Sequence, residues 1–509
     1  MSTQPTQGIR IRWRPALSIL ASGLAAFFII RAKSDWAYEQ QRIYALLGAV
    51  AATILALFVW WLFFSRAGWR LRLIVLAFAA LPAVFFKHVG MSGDFMPVFE
   101  LRFKKKATLQ TATHVTPQVL EGVVDYLQFL GPERNGKLHT PVLAPDWSAR
   151  APEILWRQTV GSAWSGFTAK GSRIFTQEQA GETELVTCYD LASGRQIWKQ
   201  ANPGHYSTPI AGEGPRGTPT ILGKLVFTFG GLGTLQCLKA ESGERVWIQD
   251  VAKLTDASVP EWGYASSPLI HGDTVIVSAG GTENRSLVAY KIADGSVAWT
   301  GGNRPASYSS PFLYELAGRK QIVVFNKEAI TSHDPENGSV LWEHPWGKGM
   351  PHVAAPIQVG DNKLLFSSGY GVGSTLLEIN TGADGKPAPT VLWKTIRYQA
   401  KFSNPIERDG FVYGLSDGIF ACLDLKDGTV RWKDGRYGHG QGLLVNDLFL
   451  LMTEGGELLL LKVTPDGLSE TGRLKVFEDK TWNSIALAGE YLLVRNDREA
   501  ACIRIPVLK

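Results

Sequence analysis

Five times along the chain a glycine is followed four residues later by a tryptophan: Gly194/Trp198, Gly243/Trp247, Gly295/Trp299, Gly338/Trp342 and Gly428/Trp432. Looser copies end in Trp156, Trp393 and Phe477, so successive anchors lie 42, 49, 52, 43, 51, 39 and 45 residues apart. That spacing is the period of a four-stranded propeller blade. Each copy opens with a short apolar strand, as at 235–238, 287–290 and 420–423, then an acidic turn and the glycine. Glycine supplies the positive φ of a tight turn between antiparallel strands. The next strand ends on tryptophan, whose burial of roughly 200 Å² packs one blade on the next.

A second repeat marks the blade starts: Thr218-Pro219, Ser267-Pro268, Ser310-Pro311, Ala355-Pro356 and Asn404-Pro405. Proline is tolerated at the first residue of a strand, where the ladder does not yet need its missing donor. Eight sets follow, with inner strands expected near Phe167, Thr218, Ser267, Ser310, Ala355, Asn404, Gly442 and Ser484. The last set, 484–505, has three strands, and 152–159 with Trp156 is an outer strand with no blade of its own. The expectation is an all-β, eight-bladed β-propeller closed by this N-terminal outer strand, which removes exposed edges.

The first hundred residues are a different material. Segments 16–30, 43–64 and 73–86 are free of charge, and the middle one alone reaches the roughly 20 residues that cross a bilayer unaided. Arg12, Arg14, Arg31, Arg72 and Lys87 at the ends of the outer two can snorkel and extend them. An α-helical transmembrane anchor of about three spans is expected; one span with two interfacial helices is the other reading. A cleaved signal peptide is not expected, since more apolar runs follow the first and no small-residue cleavage site separates them. The division is 1–90 for the anchor, 91–150 for a linker and lead-in segment, and 151–509 for the propeller. With the amino terminus inside, three spans place the propeller outside the cytoplasm, facing the periplasm from the inner membrane. The Lys/Arg balance of the two sides is nearly even and does not decide this.

Net charge divides in the same way. Residues 1–106 hold 14 Lys and Arg against four Asp and Glu, while the remainder stands at −4. A basic surface for nucleic acid is therefore disfavoured. Lys104–106 read as a solvated juxtamembrane stretch able to touch anionic headgroups. Cys188, Cys237 and Cys422 each lie six residues before a turn glycine, and Cys502 sits in the matching strand of the last blade. All four read as small buried packing residues.

The repeated strand, acidic turn, glycine and tryptophan resemble the pyrroloquinoline-quinone (PQQ) type propeller repeat. That repeat is shared by quinoprotein alcohol dehydrogenases and by an outer-membrane assembly lipoprotein that uses the fold without catalysis. The lead-in Tyr126-Leu-Gln-Phe-Leu-Gly-Pro-Glu-Arg-Asn-Gly136 is also similar to a segment common in bacterial PQQ-like propellers. Helices ahead of a propeller resemble membrane-bound quinoprotein glucose dehydrogenases. The chain departs from the enzymes in having no adjacent cysteine pair, no haem motif and a short propeller.

Any site is expected where the loops entering inner strands meet those joining second to third strands, near the central axis. The candidates for ligand binding are Arg216, Trp262, Tyr264, Tyr308, His352, Lys401, Asn404, His439, Gln441, Trp482 and Asn483. Trp262 and Trp482 fall outside the anchor register, and Arg216 offers a planar two-pronged donor for an anion. His352 and His439 fit hydrogen-bonded channel positions as well as ligand contacts. Weak metal candidates are Glu178, Glu261 and Glu283. Two functions remain open. One is a membrane-tethered binding or assembly scaffold, with a protein or small molecule at the loop face and lipid around the anchor. The other is a PQQ- and calcium-dependent dehydrogenase of an alcohol or sugar, passing electrons to membrane quinone.

Overall fold

The computed structural model describes residues 11–33, 39–93, 96–103, 116–208, 210–347, 351–382 and 385–508; Lys104–106 lie outside the described residues. The chain divides into two compact units, Met1–Lys106 and Ala107–Lys509.

In the first unit, helix α1 (Trp13–Ala32) packs against helix α2 (Glu39–Val59), which continues as a π-helical turn through Phe64. Gly23 of α1 leaves room for Thr53 of α2, the rings of Trp13 and Trp60 lie 5.9 Å apart, and the Arg12 amide donates to the Ser65 carbonyl. Leu17, Phe28, Ile54 and Phe63 are exposed, as expected of helices apolar all round. Two stretches, Trp13–Ala32 and Tyr44–Phe64, are long and apolar enough to cross a membrane. The third apolar run forms helix α3 (Trp69–Phe85), with Pro82 inside it. Its 17 residues measure only about 26 Å against a hydrocarbon core of about 30 Å, so two helices, where the sequence suggested three, are long enough to cross unaided. An antiparallel hairpin, Phe86–Met91 with Pro97–Leu101, follows.

Among the described residues, the second unit contains, besides a small hairpin of Ser207–Thr208 with Gly212–Glu213, eight sheets of four antiparallel strands, taken here as blades 1 to 8. Seven are built from consecutive strands, spanning 168–203, 220–250, 269–301, 312–345, 357–395, 406–436 and 441–475. Blade 8 takes three strands from 486–504 and its outer strand from Glu153–Thr159, with Cys502 opposite Trp156. Most inner strands begin one or two residues after the expected start. The residues ahead of them are used in another way. The Thr218 amide donates to Ser267 Oγ, the Ser267 amide to Ser310 Oγ, and the Ala355 amide to Asn404 Oδ1, each at 2.9 Å. These short side chains join neighbouring blades around the channel and satisfy amides that no ladder reaches.

The core is a ring of apolar clusters lying between blades, each shared by neighbours, such as Phe227 and Trp247 of blade 2 with Val275 and Tyr290 of blade 3. The repeat explains how the interfaces are locked. The indole Nε1 of Trp156, Trp198, Trp247, Trp299 and Trp393 donates to the carbonyl of Leu191, Ala240, Ile292, Pro335 and Leu425 in the next blade. Each acceptor lies three residues before that blade's turn glycine, and the indole covers the glycine itself. A Cβ on Gly295 would sit 2.6 Å from the ring of Trp247, and its φ is +73°. Glycine is thus required twice, for turn geometry and for close approach.

Three blades depart from the pattern. Trp432 of blade 6 donates to Thr464 O of blade 7 at 3.0 Å, but no indole lies on Gly467. Trp342 donates at 2.7 Å to Gln321 Oε1 within its own blade. Phe477, expected as the anchor of blade 7, lies beyond the outer strand Gly467–Lys475, buried in the core cluster. The residue in the anchor position is Gly472, opposite Leu460 just before the strand bulge, and the indole of Trp147 from the lead-in segment lies on it.

The lead-in segment crosses one end of the ring. Tyr126 bridges to Ala169 in blade 1, the Ile221 amide of blade 2 donates to Leu127 O, and Lys137–Leu138 pairs with the inner strand of blade 7 in parallel. Arg134 donates to Ser267 O, Pro268 O and Pro311 O ahead of blades 3 and 4, with its guanidinium over Phe312. The four cysteines are buried and not disulfide-linked. Cys188, Cys237, Cys422 and Cys502 face Trp198, Trp247, Trp432 and Trp156 across their strands, and burial pushes the Cys237 and Cys502 thiols up to about 12.

Candidate functional site

On the loop face, two groups of side chains gather around the axis. The first is centred on Arg216, which precedes the inner strand of blade 2. Its guanidinium lies over Tyr206 at 4.7 Å and donates to Gly214 O and Ala211 O, both at 2.6 Å. Burial pulls its pKa down to about 10, so it stays a cation at neutral pH. Tyr206 donates to Glu261 O at 2.6 Å, which holds the loop carrying Trp262. Trp262 stacks on Tyr308 at 5.0 Å and 21°, with Tyr370 beyond it at 6.4 Å, and the Trp262 amide donates to the Tyr308 hydroxyl. Lys401 lies 5.7 Å over Tyr370 and 3.5 Å from Asp417.

Beside Arg216 sits Glu184, 5% exposed, accepting from the Gly231 amide at 3.0 Å. Burial raises its pKa to about 7, against the Gly231 amide and the charge of Arg216, which favour the anion. Any side chain on Gly230 would collide with this carboxylate. The sequence reading missed Glu184 and Tyr206; the glycine pair 230–231 was the available signal.

The second group is built on Trp482, Trp164 and Phe402. Trp164 and Phe402 lie 4.9 and 5.0 Å from Trp482. Trp482 Nε1 donates to Glu454 Oε1 at 3.0 Å, and the His439 amide donates to Glu454 Oε2 at 3.0 Å. Lys480 lies 3.8 Å over Trp482 and 5.0 Å from Trp164. Burial lowers its pKa to about 8, with Arg216 and Arg498 adding to the shift against Asp497 and Glu454. Arg216 therefore couples the two groups. Lys480 and Trp164 were not among the sequence candidates.

The other candidates occupy packed positions. Tyr264 is in the core between blades 2 and 3 and donates to Ala279 O. His352 stacks on Phe325 at 4.5 Å, with Nδ1 2.8 Å from Ser368 Oγ; burial lowers its pKa to about 4, so it is neutral at physiological pH. Asn404 and Gln441 bond each other beneath Phe402, and Asn483 donates to Ala163 O and Ser165 O. Among the carboxylates, Glu178 is 2% exposed, accepting from Tyr189 and the Gly161 amide, next to the wholly buried Arg495. Glu261 is exposed, and Glu283 is exposed and paired with Arg285. Among the described residues no three His, Cys, Asp or Glu side chains gather in a metal-holding arrangement. A calcium and PQQ centre needs such carboxylates beside a cavity wide enough for a tricyclic acid. Glu178 is engaged by Tyr189 and the Gly161 amide, Glu283 by Arg285, and Glu261 is not grouped with other metal-holding side chains among the described residues, so the residues present do not fit that group.

Residues 182–434 match the family model described as outer membrane protein assembly factor BamB. The chain is 22% identical over 343 residues to BamB of Moranella endobia, covering 60% of this chain and 79% of that protein. It is 23% identical over 293 residues to BamB of Yersinia pestis, covering 56% of this chain and 61% of that one. Among solved structures, BamB from Moraxella catarrhalis superposes with a TM-score of 0.50 at 15% identity, covering 70% of this chain and 98% of that one. The quinohemoprotein alcohol dehydrogenase ADHIIG from Pseudomonas putida HK5 gives 0.52 at 10% identity, covering 76% and 81%. Likeness at this identity is likeness of fold, and it extends to a dehydrogenase and an assembly factor alike. With eight blades, five of whose junctions set a tryptophan on a turn glycine, the second unit of this chain is a PQQ-like β-propeller.

Proposed function

We propose that the chain is a membrane-anchored, extracytoplasmic scaffold that binds an assembly partner through its propeller loop face. The observation that carries this reading is the convergence of Trp164, Arg216, Trp262, Tyr308, Lys401 and Trp482, from six blades, on one face while the lead-in segment spans the other end. A face built from hydrogen-bonded, rigid aromatic and charged groups suits recognition of a surface, with the aromatic residues as anchors. The names of the relatives support an assembly role.

The anchor comprises α1, α2 and α3, with 91–150 as linker and lead-in. Arg70 and Arg72 at the start of α3 extend its reach to the interface. Three crossings from a cytoplasmic amino terminus put the propeller in the periplasm, tethered to the inner membrane. Alkaline phosphatase fused after Lys509 is then active and a cytoplasmic reporter there is silent; the reverse result overturns the topology. For the scaffold, a strain lacking the chain is complemented with wild type or with Trp262→Leu/Arg216→Gln, and the folding of outer-membrane barrels is followed by heat-modifiability. The wild type restores it and the variant, although folded, does not. Full complementation by the variant, or dye-linked alcohol oxidation on adding PQQ and calcium, refutes the scaffold reading.

A further inference from the structure

Trp164 and Trp482 present their ring faces to a cation that the chain supplies itself, and Phe402 packs against Trp482 at 5.0 Å. Lys480 Nζ stands 3.8 Å over Trp482 and 5.0 Å from Trp164, within the range in which a ring face attracts an ammonium. Neither indole depends on the lysine for its position. Trp164 Nε1 donates to Ala211 O at 2.8 Å and Trp482 Nε1 to Glu454 Oε1 at 3.0 Å, so the cage is held by the backbone of the loop between blades 1 and 2 and a carboxylate of blade 7. Phe402 is braced by His439 at 5.0 Å. The lysine, by contrast, sits only half-buried on a loop.

We propose that this aromatic cage is a binding site for a methylated, quaternary ammonium group, and that Lys480 occupies it as an internal stand-in that such a ligand displaces. A primary ammonium is strongly hydrated and gives up much of that hydration here, beside two guanidiniums, Arg216 and Arg498. A quaternary ammonium is large, weakly hydrated and unable to hydrogen-bond, so it makes the same contact with the ring faces at a smaller desolvation cost. The charges around the ammonium are balanced, Asp497 and Glu454 attracting it against Arg216 and Arg498, with Arg498 3.5 Å from Asp497, so a cation of either kind is tolerated there. The inference is independent of the scaffold reading, since the cage is assembled within one chain. Free onium solutes and choline lipid headgroups present the same chemistry.

The test uses the full chain in dodecyl maltoside, which carries no choline. Tetramethylammonium is titrated by calorimetry into wild type and Lys480→Met, with 3,3-dimethylbutanol, the uncharged isostere of choline, as control. Lys480→Met should bind tetramethylammonium about tenfold more tightly than wild type, and the isostere should bind neither. Lys480→Gln serves if the first variant melts early, and Trp482→Leu in the Lys480→Met background should lose the heat signal. A preference for the chain in nanodiscs containing phosphatidylcholine over soluble phosphocholine assigns the headgroup as the source, and the reverse assigns a solute. Equal affinity for cation and isostere, or no binding by either lysine variant, overturns the proposal.

Discussion

Tryptophan serves two purposes in this propeller, and Trp247 and Trp262, 15 residues apart, show the difference. Trp247 is 7% exposed, lies flat on Gly295 and donates at 2.8 Å to Ile292 O of the next blade. Trp262 has no glycine beneath it; it stacks on Tyr308, and its Nε1 is buried without a hydrogen-bond partner. The first has its polar atom spent on holding a neighbour blade. The second, with Trp482 and Trp164, presents rings toward the axis. A repeat protein can thus separate the aromatic residues that hold the ring from those that meet a ligand by register alone.

The sharpest way to break this comparison is by stability. Trp247→Ala should cost about 3 to 5 kcal/mol in chemical denaturation, because it opens a cavity between blades 2 and 3 and leaves Ile292 O without its donor. A loss below about 1 kcal/mol would show that the anchors are not what joins the blades. Next comes a prediction in pH. Glu184 has a folded pKa raised to about 7 from 4.5, so it favours the folded state below pH 4.5 and this contribution disappears as pH rises to 7. Wild type should lose about 3 kcal/mol over that window relative to Glu184→Gln, which removes the titration while keeping the shape. Parallel stability curves for the two proteins refute the raised pKa. Arg134→Met should cost about 2 kcal/mol, as three carbonyls lose a charged donor while the contact with Phe312 is retained. The smallest effect is expected at the loop face: Trp262→Leu should change stability by about 1 kcal/mol, the worth of one ring stack. If that loss matches the Trp247 variant, the loop aromatics are packing and the contrast collapses.

The blades were legible in the sequence because their cause is local and repeated: a positive-φ glycine, a tryptophan four residues on, a short polar residue and proline at the inner strand. What escaped depends on the closed ring. Nothing in the sequence near Gly472 says that Trp147, 325 residues earlier, fills the missing anchor of blade 7. Lys480 reads as a surface lysine until Trp164 and Trp482 are brought together from opposite ends of the propeller sequence. Among the candidates, Arg216, Trp262, Tyr308, Lys401, His439 and Trp482 are brought to the loop-face groups. Tyr264 and His352 are drawn into blade interfaces, since polar aromatic rings at the mouth of a ring satisfy packing as readily as recognition. The third apolar run is short for a reason visible in its own residues, with Arg70 and Arg72 at one end and Pro82 near the other.

Blade 8 has a consequence in time. Its outer strand, Glu153–Thr159, leaves the ribosome about 350 residues before its partner Glu499–Arg504. At about 5 to 20 residues per second, that interval lasts roughly 20 to 70 s. Throughout it, Ile154, Leu155 and Trp156 belong to a strand whose partner has not been made. The lead-in segment waits alongside, since its contacts in blades 7 and 8 come from the end of the chain. Completion of the ring therefore waits for the last strand of blade 8, and any export of this domain has to keep its first strand unpaired until that strand arrives.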